Sequence, residues 1–298
     1  MGTRVLTEFE YYKPESIDEV LVLIEKYGER ARFLAGGSDL LIKIKLLREE
    51  PECLIDITGI EELRGISINE EELRIGAVTS LNEINCFPII KKNYTALFEA
   101  TSEMATTQVR NNASIGGNLC NASPGADTVP PLLVLEAKVN ITIGNEVKTV
   151  PLEEFFTGPG KTILNRGDIL TSISIPISSS NTGTSFIKIS RTHSDLPQLN
   201  AAAAIKVENG ICTDARIALG AVAPTPVRVI RAGNILKNRK PDYNAFEEAA
   251  GVVVTEIKPR TSIRSTEDYR KMVAPVIVKR ALIKAYQRIS NSGDNPDA

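Results

Sequence analysis

The chain has 298 residues, 42% of them hydrophobic and 24% charged, with a formal net charge of −2. That is chain enough for one large or two smaller globular domains. The balance excludes a basic field for nucleic acid or anionic lipid, and no apolar run approaches the roughly 20 residues of a membrane span.

Met1-Gly2-Thr3-Arg4-Val5 meets Glu8 and Glu10 without an apolar signal core, so a cytoplasmic protein is expected. Ser16 and Glu19 have capping-box spacing, and Val20, Leu23, Ile24 and Tyr27 form an apolar stripe that Gly28 ends, which predicts the first helix. Arg32 to Ala35 reads as a strand running into Gly36-Gly37-Ser38-Asp39. Leu40 to Leu47 is apolar, and Cys53 to Ile57 reads as a buried strand. Ile66 and Ile68 face Leu73 and Ile75 across an acidic turn, a hairpin pattern. Helices are expected from Ser80, over Thr95 to Thr101, and over Pro131 to Ala137. Val139 to Ile143 and Val147 to Val150 form a second hairpin about Gly144-Asn145, and Ile169 to Ile175 forms a strand before Pro176.

Ser178 to Thr184 is polar and small, the best linker in the chain. Beyond it, Phe186 to Ser190, Ala201 to Val207 and Ile211 to Leu219 read as three strands, the last two joined by the hairpin turn Asn209-Gly210. Helices are expected near Tyr243 to Ile257 and Thr266 to Ile289, with Pro275 kinking or interrupting the second. Residues 291–298 are expected to fray.

The stretch from Gln108 to Asp127 is too small and polar to be core. Gly116-Gly117 removes two Cβ atoms, so backbone N–H groups there could approach a phosphate. Asn118, Asn121, Ser123 and Asp127 offer short polar side chains, though an ordinary surface loop accounts for the composition equally well. Gly36-Gly37-Ser38, entered from a strand, is a second phosphate-cradle pattern, or a plain strand-to-helix turn. Two such loops suit the two phosphates of a dinucleotide.

Familiar nucleotide motifs fail on spacing. Gly158-Pro159-Gly160-Lys161-Thr162 ends like a P-loop, but Phe155 occupies the required first glycine. Ile163 stands where a dinucleotide fingerprint needs its third glycine. Cys53, Cys86, Cys120 and Cys212 lie too far apart to spell a zinc or iron–sulfur motif, and free thiols are expected. With His193 the only histidine, a histidine-centred hydrolase is unattractive. Asp127 could cap a helix at Thr128-Val129-Pro130, and Lys188 could be a solvated strand lysine.

Five segments together resemble one family: the flavin-binding medium subunits of molybdenum hydroxylases, the xanthine dehydrogenase and carbon monoxide dehydrogenase group. They are Ala35-Gly36-Gly37-Ser38-Asp39-Leu40; Ala113 to Leu119 continued through Ala122-Ser123-Pro124 to Asp127; Lys161 to Leu164 with Asp168-Ile169-Leu170; Phe186-Ile187-Lys188 with Arg191 and Asp195; and Asp268-Tyr269-Arg270. The resemblance spans almost the whole chain. It implies an α+β fold: a vanillyl-alcohol-oxidase-like, PCMH-type FAD-binding domain of two α/β subdomains over 1–177, then a small domain over 185–290 with a three-stranded antiparallel sheet and helices.

It also implies a site. Phe33, Leu34, Ala35, Gly36, Gly37, Ser38, Asp39 and Leu40 would cradle the FAD pyrophosphate. Ala113, Ser114, Ile115, Gly116, Gly117 and Asn118 would form the second wall, with Met104, Asp127, Ile169 and Lys188 as further cofactor contacts. The implied role is to pass electrons from the [2Fe–2S] clusters of a partner subunit to NAD+ or another acceptor, substrate being hydroxylated on a molybdopterin-binding large subunit. Leu196 stands where some members carry tyrosine, and Thr192-His193 replaces a more basic pair. A self-sufficient FAD-dependent oxidoreductase and a flavin-free scaffold are the competing readings.

Overall fold

Three main sheets succeed one another along the chain, with a two-stranded one beside the second, in a computed structural model that describes residues 8–144, 146–165 and 167–292. The first is a small parallel sheet. Strand β1 (Glu10–Tyr12) leads to helix α1 (Ile17–Tyr27), β2 (Ala31–Leu34), helix α2 (Leu40–Lys45) and β3 (Cys53–Asp56), in the order β1-β3-β2. Helix α1 starts where expected: the Glu19 amide donates to Ser16 Oγ at 3.3 Å, while the Glu19 carboxylate reaches back to the Glu15 amide at 2.9 Å. Val20, Tyr27, Ala31, Cys53, Ile55 and Ile57 form the core of this unit.

The second unit holds both predicted hairpins. β4 (Ile66–Ile68) and β5 (Glu72–Gly76) precede six short helices: α3 (Leu81–Cys86), α4 (Pro88–Asn93), α5 (Thr95–Glu103), α6 (Thr107–Asn112), α7 (Ile115–Cys120) and α8 (Val129–Val134). β6 (Lys138–Ile143) and β7 (Glu146–Pro151) follow, then a minor hairpin of β8 (Phe156–Gly158) and β9 (Lys161–Thr162), and finally β10 (Ile169–Pro176). The main sheet runs β4-β5-β10-β6-β7, antiparallel throughout. Asn145, expected in the β6–β7 turn, lies outside the described residues.

The third unit opens with β11 (Thr182–Ile189), β12 (Leu199–Glu208) and β13 (Ile211–Gly220), the three strands expected, and β14 (Val227–Arg228) adds a two-residue edge. Asn209 and Gly210 both take positive φ, +53° and +76°, as a tight two-residue hairpin requires. Helices α9 (Ile230–Leu236), α10 (Tyr243–Val252) and α11 (Glu267–Ser292) cover one face.

Strand periodicity explains how this sheet joins the rest. Ala201, Ala203, Ile205, Ile217 and Leu219 pack into the core under α9 to α11. Phe186, Ala202, Ala204 and Ala218 point the other way, into the core of the second unit with Ala96, Leu97, Ala100 and Leu132. The sheet is thus buried on both faces and belongs to two cores.

Three expectations are corrected. The proposed linker is shorter than read, because Thr182, Gly183 and Thr184 already belong to β11 and Thr184 Oγ1 receives the Ala96 amide at 3.2 Å. Pro275 does not interrupt α11, which is one element from Glu267 to Ser292. Buried Ala274, Ile277 and Val278 beside the proline hold the helix against its core. The stretch from Gln108 is not continuous loop: Thr106 and Ser114 accept from Val109 and Gly117 amides as N-caps, which starts α6 and α7 within it. Most of the C-terminal segment expected to fray, residues 293–298, lies outside the described residues.

Candidate functional site

The two glycine segments lie side by side. Gly36 sits where even one added carbon has no room: a Cβ there would fall 1.9 Å from Asn112 O and 2.8 Å from Ala113 Cα. The β2–α2 loop therefore rests directly on the backbone that enters α7. Farther along, Lys43 Nζ on α2 donates to Asn121 Oδ1 just beyond α7 at 2.9 Å. Sequence placed these loops about eighty residues apart, and the fold brings them into direct backbone contact.

The walls differ in what they offer. Among the described residues, none accepts from the backbone amides of Gly36, Gly37, Ser38 or Asp39. These amides lie between a strand end and a short helix, where backbone donors could meet an anion. Gly37 has φ +69°, the conformation that turns the chain there.

The second wall departs from the sequence-level reading. Ile115 N donates to Thr79 O at 3.1 Å, Gly116 N to Ala77 O at 2.8 Å, and Gly117 N to Ser114 Oγ at 3.1 Å. Its glycines supply clearance rather than free donors. A Cβ on Gly116 would lie 2.6 Å from Ala77 O, whereas one on exposed Gly117 would meet only Ser114 Oγ, at 2.9 Å. Gly116 fits the wall to the segment behind it, and Gly117 leaves the front open. Asn118 is steadied by Thr128, whose hydroxyl donates to its Oδ1 at 2.6 Å.

Beyond α7, Asp127 enters a buried ion pair. Lys188 Nζ on β11 lies 2.9 Å from Asp127 Oδ2, the two side chains being 2% and 3% exposed. Asn200 Nδ2 on β12 donates to the other oxygen, Oδ1, at 2.7 Å, and Lys188 also donates to Glu103 O at 3.1 Å. Burial pushes the Asp127 carboxyl up, against the pull of Lys188 and Asn200. Asp127 is therefore not the helix cap that its position allowed, and Lys188 is not a solvated lysine. Met104 follows Glu103 directly and packs against the second core.

Other predicted residues divide. Phe33 and Ala35 pack against the first core, which includes Ile169 at 1% exposure. The Ile169 side chain is buried in that core. Leu34 ends β2, Leu40 starts α2, and Ala113 is nearly buried behind the second wall. His193 is an exposed loop residue.

Sequence reasoning missed Asn200. A single amide at the head of the apolar run Leu199-Asn200-Ala201-Ala202-Ala203-Ala204 was the available signal. It also missed Glu99, which joins the units: its carboxylate accepts from the Phe186 amide at 2.8 Å and pairs with Lys284 at 2.6 Å and with Arg288. Cys120 ends α7 with accessible surface, and desolvation by the surrounding protein pushes its thiol up to about 12. All four cysteines are free, and no cluster of three His, Cys, Asp or Glu side chains that could hold a metal occurs among the described residues. No helix among them is long and apolar enough to cross a membrane.

The geometry agrees with comparisons to known proteins. Residues 7–178 match the family described as FAD binding domain in molybdopterin dehydrogenase, and residues 184–285 match the CO dehydrogenase flavoprotein C-terminal domain. The carbon monoxide dehydrogenase medium chain of Hydrogenophaga pseudoflava is 34% identical over 280 residues, 94% of this chain and 98% of that one. A xanthine dehydrogenase FAD-binding subunit of Escherichia coli O157:H7 is 31% identical, covering 92% of this chain and 95% of its own length. The solved carbon monoxide dehydrogenase from H. pseudoflava superimposes with a TM-score of 0.92 over 95% of this chain and 99% of that chain.

Proposed function

Because this chain belongs to the family of FAD-binding medium subunits of molybdenum hydroxylases, we propose that it stands between the [2Fe–2S] clusters of a partner subunit and NAD+ or another electron acceptor. A third, molybdopterin-binding subunit would then carry out substrate hydroxylation. The carrying observation is the first loop: four amides without acceptors at Gly36 to Asp39, on a segment packed so closely against the Asn112 backbone that Gly36 has no space for a Cβ.

The residues present fit FAD. The amides from Gly36 to Asp39 would hold the pyrophosphate, and Ser114, Gly117 and Asn118 would line the opposite side. Asp127 and Lys188 would face the far end of the cofactor, with Met104 against it. Ile169 would support the site through the core. FAD, when bound, supplies the exchange between one-electron and two-electron transfer, and the protein contributes binding, orientation and electrostatics. The reading divides the chain into a flavin domain over 1–177 and a C-terminal domain over 185–290, supported by two family matches that meet between 178 and 184.

Purified full-length chain should show flavin absorbance, or acquire it with added FAD. Mixed with its iron–sulfur and molybdopterin subunits, it should complete substrate-dependent reduction of NAD+ or of an artificial acceptor. Flavin-loaded chain that turns over a substrate alone would favour a self-sufficient oxidoreductase, and failure to take up FAD would refute the cofactor assignment.

A further inference from the structure

The connection between α5 and α6 is held by two cations. Lys188 Nζ donates to Glu103 O at 3.1 Å. Arg110 Nη1 donates to the next two carbonyls, Met104 O at 2.9 Å and Ala105 O at 3.2 Å, while its Nη2 donates to Thr107 Oγ1 at 3.1 Å. Three successive carbonyls are thus captured by side chains from two elements, β11 and α6. Arg110 Nε is buried without a hydrogen-bond partner, so part of the guanidinium is held out of water for the sake of these contacts.

The captured backbone is strained. Ala105 has φ +50°, in the left-handed region where its Cβ is unfavourable. A residue in that state persists only where its surroundings over-determine it, and such positions concentrate at ligand sites. Capping α5 alone would not need the strain, because glycine at 105 would make the same turn freely. The turn also stands between two parts of the proposed flavin site. Lys188 pairs with Asp127 on one side, at 2.9 Å. On the other, α6 runs on to Asn112, whose carbonyl abuts Gly36. Between them Met104 packs against the second core and keeps part of its surface open.

We propose that Arg110 is a positioning residue of the flavin site: it holds Met104 and Ala105 in the strained turn and so fixes the Met104 thioether against the cofactor. Thioether sulfur makes favourable contacts with aromatic rings, and an unbranched methionine left unbraced would sample several rotamers there. The inference rests on the functional reading above, which sets Met104 against FAD.

The test measures FAD affinity, visible circular dichroism of the bound flavin and Tm on the full-length chain. Arg110→Met loses both carbonyl contacts and should weaken FAD binding by about tenfold or more, the scale of a lost charge-assisted hydrogen bond, with altered flavin dichroism at saturating FAD. Because the single nitrogen Nη1 serves both carbonyls, Arg110→Lys should restore most of the affinity. Met104→Ala leaves both hydrogen bonds in place and should alter the dichroism with Tm close to native. In Arg110→Met/Ala105→Gly the glycine takes the left-handed turn without strain, so Tm should recover while FAD affinity stays low. Recovery of affinity together with Tm in that double variant would make Arg110 a helix brace only, and the proposal fails. Native affinity and dichroism in Arg110→Met overturn it, as does native dichroism in Met104→Ala. Native chain that takes up no FAD refutes the cofactor reading itself, and this inference with it.

Discussion

Lys188 Nζ and Asp127 Oδ2, 2.9 Å apart and almost wholly buried, join the segment that follows α7 to the first strand of the C-terminal sheet. Removing one partner leaves the other charge uncompensated out of water. Lys188→Met should therefore destabilise the chain by about 3–5 kcal/mol, read from urea unfolding. Lys188→Met combined with Asp127→Leu should recover much of that loss. A double variant no more stable than the single one would mean that the lysine acts through its packing, not its charge.

Glu99 and Asp127 should respond to pH in opposite senses. Burial works to raise the Glu99 carboxyl, but Arg288, Lys284 and the Phe186 amide outweigh it, and the net displacement is downward from 4.5. Its stabilisation is complete above about 4.5 and is lost as pH falls through the folded value. Glu99→Gln should lower Tm at neutral pH, with the gap to native protein closing below about pH 4.5. For Asp127 burial raises the carboxyl above 3.8, so its ionisation draws stability away as pH rises through that region. A Glu99→Gln gap unchanged between pH 7 and acid would rule out the carboxylate as its source.

The glycines should separate by function. Gly36→Ala forces a carbon into Asn112 O and should cost about 3 kcal/mol or more through backbone displacement, lowering Tm and flavin content together. Gly117→Val adds bulk on an exposed face and should abolish FAD binding while the far-ultraviolet circular dichroism stays native. A folded Gly117→Val protein with full flavin content would contradict the second wall.

Thiol labelling offers a check on the cleft. Cys86 and Cys120 carry accessible surface, while Cys53 and Cys212 are buried. With its thiol held neutral up to about 12, Cys120 should alkylate slowly at pH 8, and FAD should slow it further without changing Cys86. Equal protection of both by FAD would place Cys120 outside the cleft.

Much of this was legible because it is local. Ser16 with Glu19, Asn209-Gly210 and the alternation of Val139, Ile141 and Ile143 each determine structure over a few residues. The facing of the two glycine loops came from the resemblance and not from periodicity. What stayed hidden depends on distant backbone. That Ala77 O occupies the Gly116 amide follows from a contact spanning nearly forty residues, and no property of the Gly116-Gly117 pair announces it. The α11 helix overrode the local rule for Pro275 because its buried face outweighs one missing hydrogen bond. Glu99 looked like any helical carboxylate until β11 and α11 converged on it.

The contact between Gly36 and the Asn112 carbonyl sets the spacing of the two loops by main chain against main chain. A gauge made of side chains would drift whenever a methyl group was gained or lost. One made of backbone keeps its tolerance while the residues around it are exchanged, provided that the single position without a Cβ is kept. Two chains sharing 34% of their residues keep the same overall fold, with a TM-score of 0.92.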